Sequence, residues 1–128
     1  MDLNDLEHNV GDGLHLAALA GTWIALVAGF GGMRDHDGRL SLHPQLPPGW
    51  RRYSFLLRWH GARVRVSVSA DRVTYEVIDN VGADLTLWDC GEPITLRSGQ
   101  PVSRRLRPIA ARTPPPSQPA GRAPKRSA

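Results

Sequence analysis

Cysteine is almost absent from this chain, because Cys90 is the only one among 128 residues. An internal disulfide is therefore impossible, and the sequence gives no support for an oxidising compartment. None of the 5 histidines stands at zinc-finger or HExxH spacing from a second ligand. A catalytic thiol would also need a positioned base, which the sequence around Cys90 does not supply. We interpret Cys90 as a packing residue or an idle thiol, and we predict neither a metal site nor a cofactor.

Acidic residues are absent from positions 103–128, which hold 7 of the 16 basic residues and 6 of the 11 prolines. The rest of the chain holds the other 9 basic residues and all 12 acids, a net charge of −3, so the positive charge of the chain belongs to the tail. This distribution argues against a nucleic-acid-binding surface on the folded part. The low apolar content of residues 103–128 predicts disorder, the alternative being a weak tether to anionic partners.

Basic residues are missing from the first seven positions, MDLNDLE, which carry three acids. A secretory signal begins with positive charge, so this segment does not have the pattern of an export signal. We therefore expect a cytoplasmic protein.

Charge is missing from residues 13–30, GLHLAALAGTWIALVAGF. Their Ala and Leu content predicts a helix, with Asp12 as its N-cap and glycines 29, 31 and 32 ending it. The apolar side chains point in all directions, which is typical of a helix that is buried on all sides. Such a helix either crosses a membrane or needs neighbouring helices that this chain does not contain.

From Leu40 to Val102 the apolar residues alternate with polar ones, most clearly in the run RVRVSVS at 63–69. Turn signals separate the runs at 60–61, 70–71, 79–82 and 90–93. Short alternating runs of this kind predict antiparallel strands with one buried and one solvated face. The predicted fold class is α+β: one long helix, a small antiparallel β-sandwich or jelly-roll-like domain, and a disordered tail.

No complete catalytic constellation is visible. The segment Asp35-His36-Asp37-Gly38 begins like a calcium loop but lacks the later ligands, so we predict an exposed turn. His15 is the one ionisable residue inside the predicted helix. It is either a hydrogen-bonded core histidine or a ligand for an anionic or sugar group at the first helical turn. Among the tryptophans, Trp50 follows a Pro-Pro-Gly turn and is predicted to be exposed.

Several blocks of the chain resemble the C-terminal region of glycoside hydrolase family 65, the family of maltose, trehalose and kojibiose phosphorylases. The blocks occur in the family's order within residues 1–97: GLHLAALAGTW at 13–23, GFGGMR at 29–34, LPPGW at 46–50, and YSFLLRW at 53–59 followed by Gly61 and RVRV at 63–66. The resemblance implies that residues 1–39 hold the last helix of an (α/α)6 barrel with its loops. Residues 40–102 then form the C-terminal β domain, and residues 103–128 lie outside it.

Family members cleave a disaccharide with inversion, using a glutamate as general acid and, in phosphorylases, inorganic phosphate as co-substrate. No position of this chain matches that glutamate, so the resemblance implies a fragment that is inactive alone. The missing barrel is the implied partner, and the intact enzyme would bind disaccharide and phosphate and could form a homodimer, without nucleic acid or membrane. His15 resembles the histidine at the phosphate end of the pocket, and Thr22 is a weaker candidate on the same helical face. The alternative is a free-standing β module that binds carbohydrate or the remainder of the enzyme.

Overall fold

The computed structural model describes residues 15–79 and 84–109, together with the single positions 8, 11, 13 and 82. Helix α1 (Leu16–Ile24) continues directly as a π-helical segment (Ala25–Phe30) and is followed by eight strands. The strands are β1 (Arg34–His36), β2 (Arg39–Leu42), β3 (Arg52–Trp59), β4 (Ala62–Ser69), β5 (Arg72–Asp79), β6 (Leu85–Asp89), β7 (Glu92–Leu96) and β8 (Val102–Arg105). They form two four-stranded sheets, which confirms the α+β fold class and the β-sandwich.

The first sheet has the strand order β3-β4-β5-β8 and is antiparallel throughout. Burial alternates residue by residue along β3, β4 and β5, as the sequence predicted from the valine run at 63–69. The β3–β4 turn is formed by His60 and Gly61, which both have positive φ (46° and 80°). Two central residues with positive φ match the right-handed twist of a hairpin, and the second one is therefore glycine.

The second sheet has the order β1-β2-β6-β7 and corrects two expectations. Strands β2 and β6 are parallel, with Ser41 opposite Trp88, whereas the sequence predicted only antiparallel pairing. Residue alternation reports which face is buried but not which direction a neighbouring strand runs. The hairpin β1–β2 also extends the β domain back to Arg34, so the predicted boundary at residue 40 is too late. All three residues of β1 are exposed, so no apolar alternation marks this edge strand.

One apolar core lies between the sheets, and both contribute to it. Its buried hydrophobic members are Val27, Leu40, Leu42, Tyr53, Phe55, Leu57, Ala62, Val64, Val66, Val68, Val73, Tyr75, Val77, Leu85, Leu87, Ile94 and Leu96. Each fully buried Val or Leu contributes roughly 1.5–3 kcal/mol relative to an exposed one. Twelve of these 17 residues were predicted strand positions, so most of the core follows from the alternation.

The segment after position 102 differs from its prediction where the structure describes it. Strand β8 pairs with β5, Arg72 lying opposite Arg105, and so adds an edge strand to the first sheet. Its residues are largely exposed arginine and serine. The strand is therefore held by backbone hydrogen bonds to β5 and not by burial of its side chains, and amino-acid composition does not reveal such pairing. The predicted disorder is therefore wrong for residues 103–105. Residues 110–128 lie outside the described part, and the prediction for them stays untested.

Helix α1 begins later than predicted, at Leu16 instead of residue 13, and the π-helical segment ends at the predicted Phe30. The predicted N-cap, Asp12, lies outside the described residues, and His15 occupies the N-cap position in the structure. The predicted exposed turn at 35–38 is present, with Asp37 and Gly38 joining β1 to β2. Within the described part of the chain, no helix is long and apolar enough to span a bilayer.

Candidate functional site: an apolar helix attached to the sandwich

Helix α1 is apolar in sequence, yet none of its nine residues is buried. The side chains of Leu16, Trp23 and Ile24 are 76%, 45% and 55% exposed. Large apolar side chains exposed together on one short helix indicate an interaction surface. The structure therefore supports the sequence argument that this helix requires further neighbours.

The two residues predicted as phosphate or substrate ligands, His15 and Thr22, both lie on this exposed helix. His15 is the N-cap residue, and its backbone carbonyl accepts hydrogen bonds from the N–H groups of Ala18 and Leu19. The hydroxyl of Thr22 donates a 2.9 Å hydrogen bond to the carbonyl oxygen of Ala18. Their proposed ligand roles remain predictions.

The π-helical segment anchors the helix to the sandwich through Val27, which is fully buried. The Tyr53 hydroxyl lies 2.9 Å from the Phe30 carbonyl oxygen and 3.0 Å from that of Gln45, and it donates to this pair of acceptors. The N–H of Gln45 donates to the Phe30 carbonyl oxygen at 2.7 Å. Burial raises the pKa of Tyr53 to about 12, so its phenol keeps the proton that this junction needs.

Glycines 31 and 32 let the backbone pass very close to the sandwich at the point where the π-helical segment ends. A Cβ on Gly31 would lie 2.5 Å from the Val27 carbonyl oxygen and 2.9 Å from the Phe55 ring. Gly32 has a φ of +59°, and a Cβ there would lie 2.6 Å from the His43 carbonyl oxygen. Only glycine fits both positions without a shift of the backbone. Both were predicted as glycines that end the helix. The structure shows in addition that they let the backbone approach neighbouring atoms more closely than a Cβ would allow.

Aromatic residues continue the exposed surface from the helix end onto the sandwich. The Phe30 and Trp50 rings lie 6.3 Å apart, and Trp50 meets Tyr53 edge to face at 6.1 Å. Trp50 is 49% exposed, which confirms the prediction from the Pro-Pro-Gly turn. We call the exposed apolar residues Leu16, Trp23, Ile24, Phe30 and Trp50 the helix patch.

Gln45 is a junction residue that sequence reasoning missed. Its Nε2 donates to the carbonyl oxygens of Pro44, at 2.6 Å, and Arg107, at 2.8 Å. Its Oε1 accepts a 3.0 Å hydrogen bond from the N–H of Ile109. The side chain thus fastens the segment after β8 beside the helix junction. Such long-range contacts leave no pattern around position 45 in the sequence.

The described glutamates are engaged in surface ion pairs. Glu76 lies 3.0 Å from Arg65 on the outer face of the first sheet. Glu92 lies 2.8 Å from Arg107, and this hydrogen bond lowers the pKa of Glu92. A general acid needs the opposite shift. Glu7 lies outside the described residues, and within them no group of three or more His, Cys, Asp or Glu side chains could hold a metal ion.

Fold and site together define a small two-sheet β-sandwich domain that carries an exposed apolar helix. The chain belongs to glycosyl hydrolase family 65, because the model described as "Glycosyl hydrolase family 65, C-terminal domain" matches residues 33–96. The matched range begins one residue before β1, in agreement with the domain boundary seen in the structure.

Known proteins of the same family extend the likeness beyond the β domain. An uncharacterized glycosyl hydrolase of Mycobacterium leprae is 50% identical over 124 residues, covering 97% of this chain and 16% of that protein. The alpha,alpha-trehalose phosphorylase of Thermoanaerobacter brockii is 37% identical over 100 residues, covering 78% of this chain and 13% of the phosphorylase. A solved structure from the human microbiome, provisionally named a kojibiose phosphorylase, matches with 25% identity and a TM-score of 0.68, covering 81% and 14% of the two chains. The chain thus spans 16% or less of these proteins.

Proposed function

We propose that this chain serves as the C-terminal domain of a family 65 enzyme that hydrolyses or phosphorolyses an α-glucosyl disaccharide in the cytoplasm. The observation that carries the proposal is the exposure of the apolar helix α1 in a chain that matches the family's C-terminal domain and covers a small share of much longer relatives. In this proposal helix α1 is the last helix of an (α/α)6 barrel, and the helix patch packs against the other barrel helices. His15 and Thr22 then reach the phosphate or substrate pocket.

The chain by itself is expected to be inactive. Glu76 and Glu92 are held by arginines on exposed surfaces, and the lowered pKa of Glu92 disfavours proton donation at neutral pH. The purified chain should therefore release no glucose 1-phosphate from maltose, trehalose or kojibiose in the presence of phosphate, and no glucose in its absence. Turnover that is lost in a Glu76→Gln, Glu92→Gln double variant belongs to the chain and not to a contaminating enzyme, and it would refute this part of the proposal.

A reconstitution experiment tests the docking role directly. The Mycobacterium leprae relative, expressed without the region that matches this chain, is mixed with the chain, and complex formation is followed by size-exclusion chromatography. We expect a 1:1 complex, and we expect Trp23→Glu to abolish it because a buried, unpaired carboxylate strongly opposes association. Leu56→Glu is the matched control, since Leu56 is also 45% exposed but lies on the outer face of β3.

Two results would contradict the docking role. The first is the absence of a complex at micromolar concentrations of two folded partners. The second is equal loss of binding in the Trp23→Glu and Leu56→Glu variants, which would show that any new surface charge disrupts the contact.

A second candidate function is an accessory module that binds carbohydrate, and the exposed ring of Trp50 favours it. Trp50 lines an open groove of about 790 Å3 together with Asp71, Arg105 and Arg107. An aromatic face beside carboxylate and guanidinium groups suits a sugar ring. Titration with maltose should then shift tryptophan fluorescence saturably, and Trp50→Ala should remove the shift while Trp88→Phe retains it. A flat titration would leave the docking role as the function of this surface.

A further inference from the structure

The outer face of the first sheet carries one hydroxyl side chain from each of its four strands, in a single row. The register places Ser54 opposite Ser67, Ser67 opposite Thr74, and Thr74 opposite Ser103. The hydroxyl oxygens of Thr74 and Ser103 are 2.8 Å apart, which shows that both side chains stand on the same face. Hydroxyl groups donate and accept hydrogen bonds, so the row offers a ligand several adjustable partners.

Three arginines border this row on the side of the β4–β5 turn. They are Arg52 on β3, Arg72 on β5 and Arg105 on β8. Arg72 and Arg105 stand directly opposite each other in the β5–β8 ladder. Like charges in directly opposed positions destabilise an antiparallel pair, so this arrangement carries a cost unless an anion lies between them.

The positive charge in this region is only partly neutralised. Arg72 pairs with Asp71 at 3.3 Å, and both side chains are exposed. Arg52 and Arg105 form no ion pair with any residue of the described part. The guanidinium groups of Arg52 and Arg105, on the two edge strands of the sheet, therefore remain available to an anionic ligand on either side of Arg72.

Two open grooves meet at this position, and both are lined by Arg72. One has a volume of about 440 Å3 and runs along the hydroxyl row from β3 to β5. The other, of about 450 Å3, extends the surface onto β8. We call the surface formed by the following six residues the arginine–hydroxyl face: Arg52, Ser67, Arg72, Thr74, Ser103 and Arg105.

We propose that the arginine–hydroxyl face binds a phosphate group, as free phosphate or as a phosphate ester. Guanidinium groups present planar pairs of N–H donors that match two phosphate oxygens, and charge-assisted hydrogen bonds of this kind are the strong ones. The hydroxyl row supplies donors for the remaining oxygens. A phosphate dianion also removes the repulsion between Arg72 and Arg105, which a neutral sugar does not. This site lies on the sandwich, apart from helix α1, and does not depend on the proposed function.

Calorimetric titration of the full chain at low ionic strength tests the site, with orthophosphate, glucose 1-phosphate and glucose as separate ligands. We expect both phosphate compounds to bind and glucose to give no binding heat. Tighter binding of glucose 1-phosphate identifies a sugar phosphate as the ligand, and equal affinities identify free phosphate. Absence of phosphate binding at millimolar concentration, or glucose binding as tight as that of glucose 1-phosphate, overturns the proposal.

Matched arginine variants separate a site from a general charge effect. Arg105→Gln and Arg52→Gln should each weaken phosphate binding about tenfold or more, because each removes a charge-assisted contact. Arg58→Gln removes the same charge from the same face of β3, at the end far from Arg52, and should change the affinity less than twofold. Equal weakening in all three variants would show that phosphate responds only to net charge and would overturn the proposal.

Discussion

The phenolic hydroxyl of Tyr75 donates a 2.8 Å hydrogen bond to Oδ1 of Asp89 in the core of the sandwich. Tyr75 lies on β5 in one sheet and Asp89 ends β6 in the other, so the bond links the two layers. Both residues are buried, at 0% and 3% exposure. A buried polar pair is stabilising only when both members are satisfied, and this pair therefore fixes how the sheets stack.

Tyr75→Phe tests this cross-sheet bond. The variant keeps the ring but removes the donor, so the buried Asp89 carboxylate loses its best partner. We expect the free energy of unfolding to fall by about 1–3 kcal/mol, measured by urea titration of the circular dichroism signal. Thr86→Val serves as the control, because Thr86 is exposed on β6 and should change stability by less than about 0.5 kcal/mol. Equal stability of Tyr75→Phe and the unmodified chain would contradict a structural role for the bond.

Alkaline pH should destabilise the domain through groups that the fold keeps protonated. Burial is the main cause that raises the pKa of Cys90 from 9.0 to about 11 and that of Tyr53 from 10.0 to about 12. Above pH 9 the unfolded thiol loses its proton while the folded thiol retains it, so the unfolded state gains stability. We expect the free energy of unfolding to decline from pH 9 upward, and Cys90→Ala to flatten the decline between pH 9 and 11. An unchanged pH profile in Cys90→Ala would contradict the shift.

The sandwich was predictable because its evidence is local. In the run 63–69, one valine after another enters the core and each intervening side chain faces out, so sequence alternation reports burial directly. Strand β1 has no such signal, because Arg34, Asp35 and His36 are all exposed at the sheet edge. The parallel pairing of β2 with β6 joins residues that lie more than forty positions apart, such as Ser41 and Trp88, and no local pattern encodes it.

The candidate site was predictable only in part. The uniform apolar character of residues 13–30 indicated a helix that needs partners, and the exposure of Trp23 and Ile24 agrees with that inference. Residue type alone singled out His15 as the ionisable group of this helix. The arginine–hydroxyl face was invisible because its hydroxyl residues Ser67, Thr74 and Ser103 lie up to 36 positions apart. Only the strand register brings them into one row.

Gly31→Ala tests whether the close approach at the helix end is required. The added methyl group would lie 2.5 Å from the Val27 carbonyl oxygen, a backbone atom that cannot move aside alone. Overpacking of this kind costs about 1–3 kcal/mol, and we expect that loss in urea unfolding followed by tryptophan fluorescence. Gly29→Ala is the matched control, since nothing lies within 4 Å of its Cβ position. In a helical segment that control should be neutral or stabilising, by up to about 1 kcal/mol. Similar losses in both variants would show that glycine matters there for reasons other than space.

Gln45→Leu tests how the segment after β8 is fastened to the junction. The substitution removes the hydrogen bonds to the Arg107 carbonyl oxygen and from the Ile109 N–H, while keeping most of the side-chain volume. Local opening of this segment then becomes less costly, because two of its backbone groups lose their partners. We expect trypsin to cleave the Arg105–Leu106 bond several-fold faster, with mass spectrometry identifying the cut, since the Arg107–Pro108 bond resists trypsin.

Gln100→Leu provides the comparison for that experiment, because the Gln100 side chain makes no hydrogen bond within the described residues and its backbone N–H still bonds the Arg97 carbonyl oxygen. Its cleavage rate after Arg105 should match that of the unmodified chain. A Gln45→Leu variant cut no faster than Gln100→Leu would mean that the Glu92–Arg107 ion pair, at 2.8 Å, is sufficient to hold the segment. That ion pair is exposed, so salt weakens it. Repeating the digestion at 0.5 M NaCl therefore distinguishes the contribution of the ion pair from that of the Gln45 hydrogen bonds.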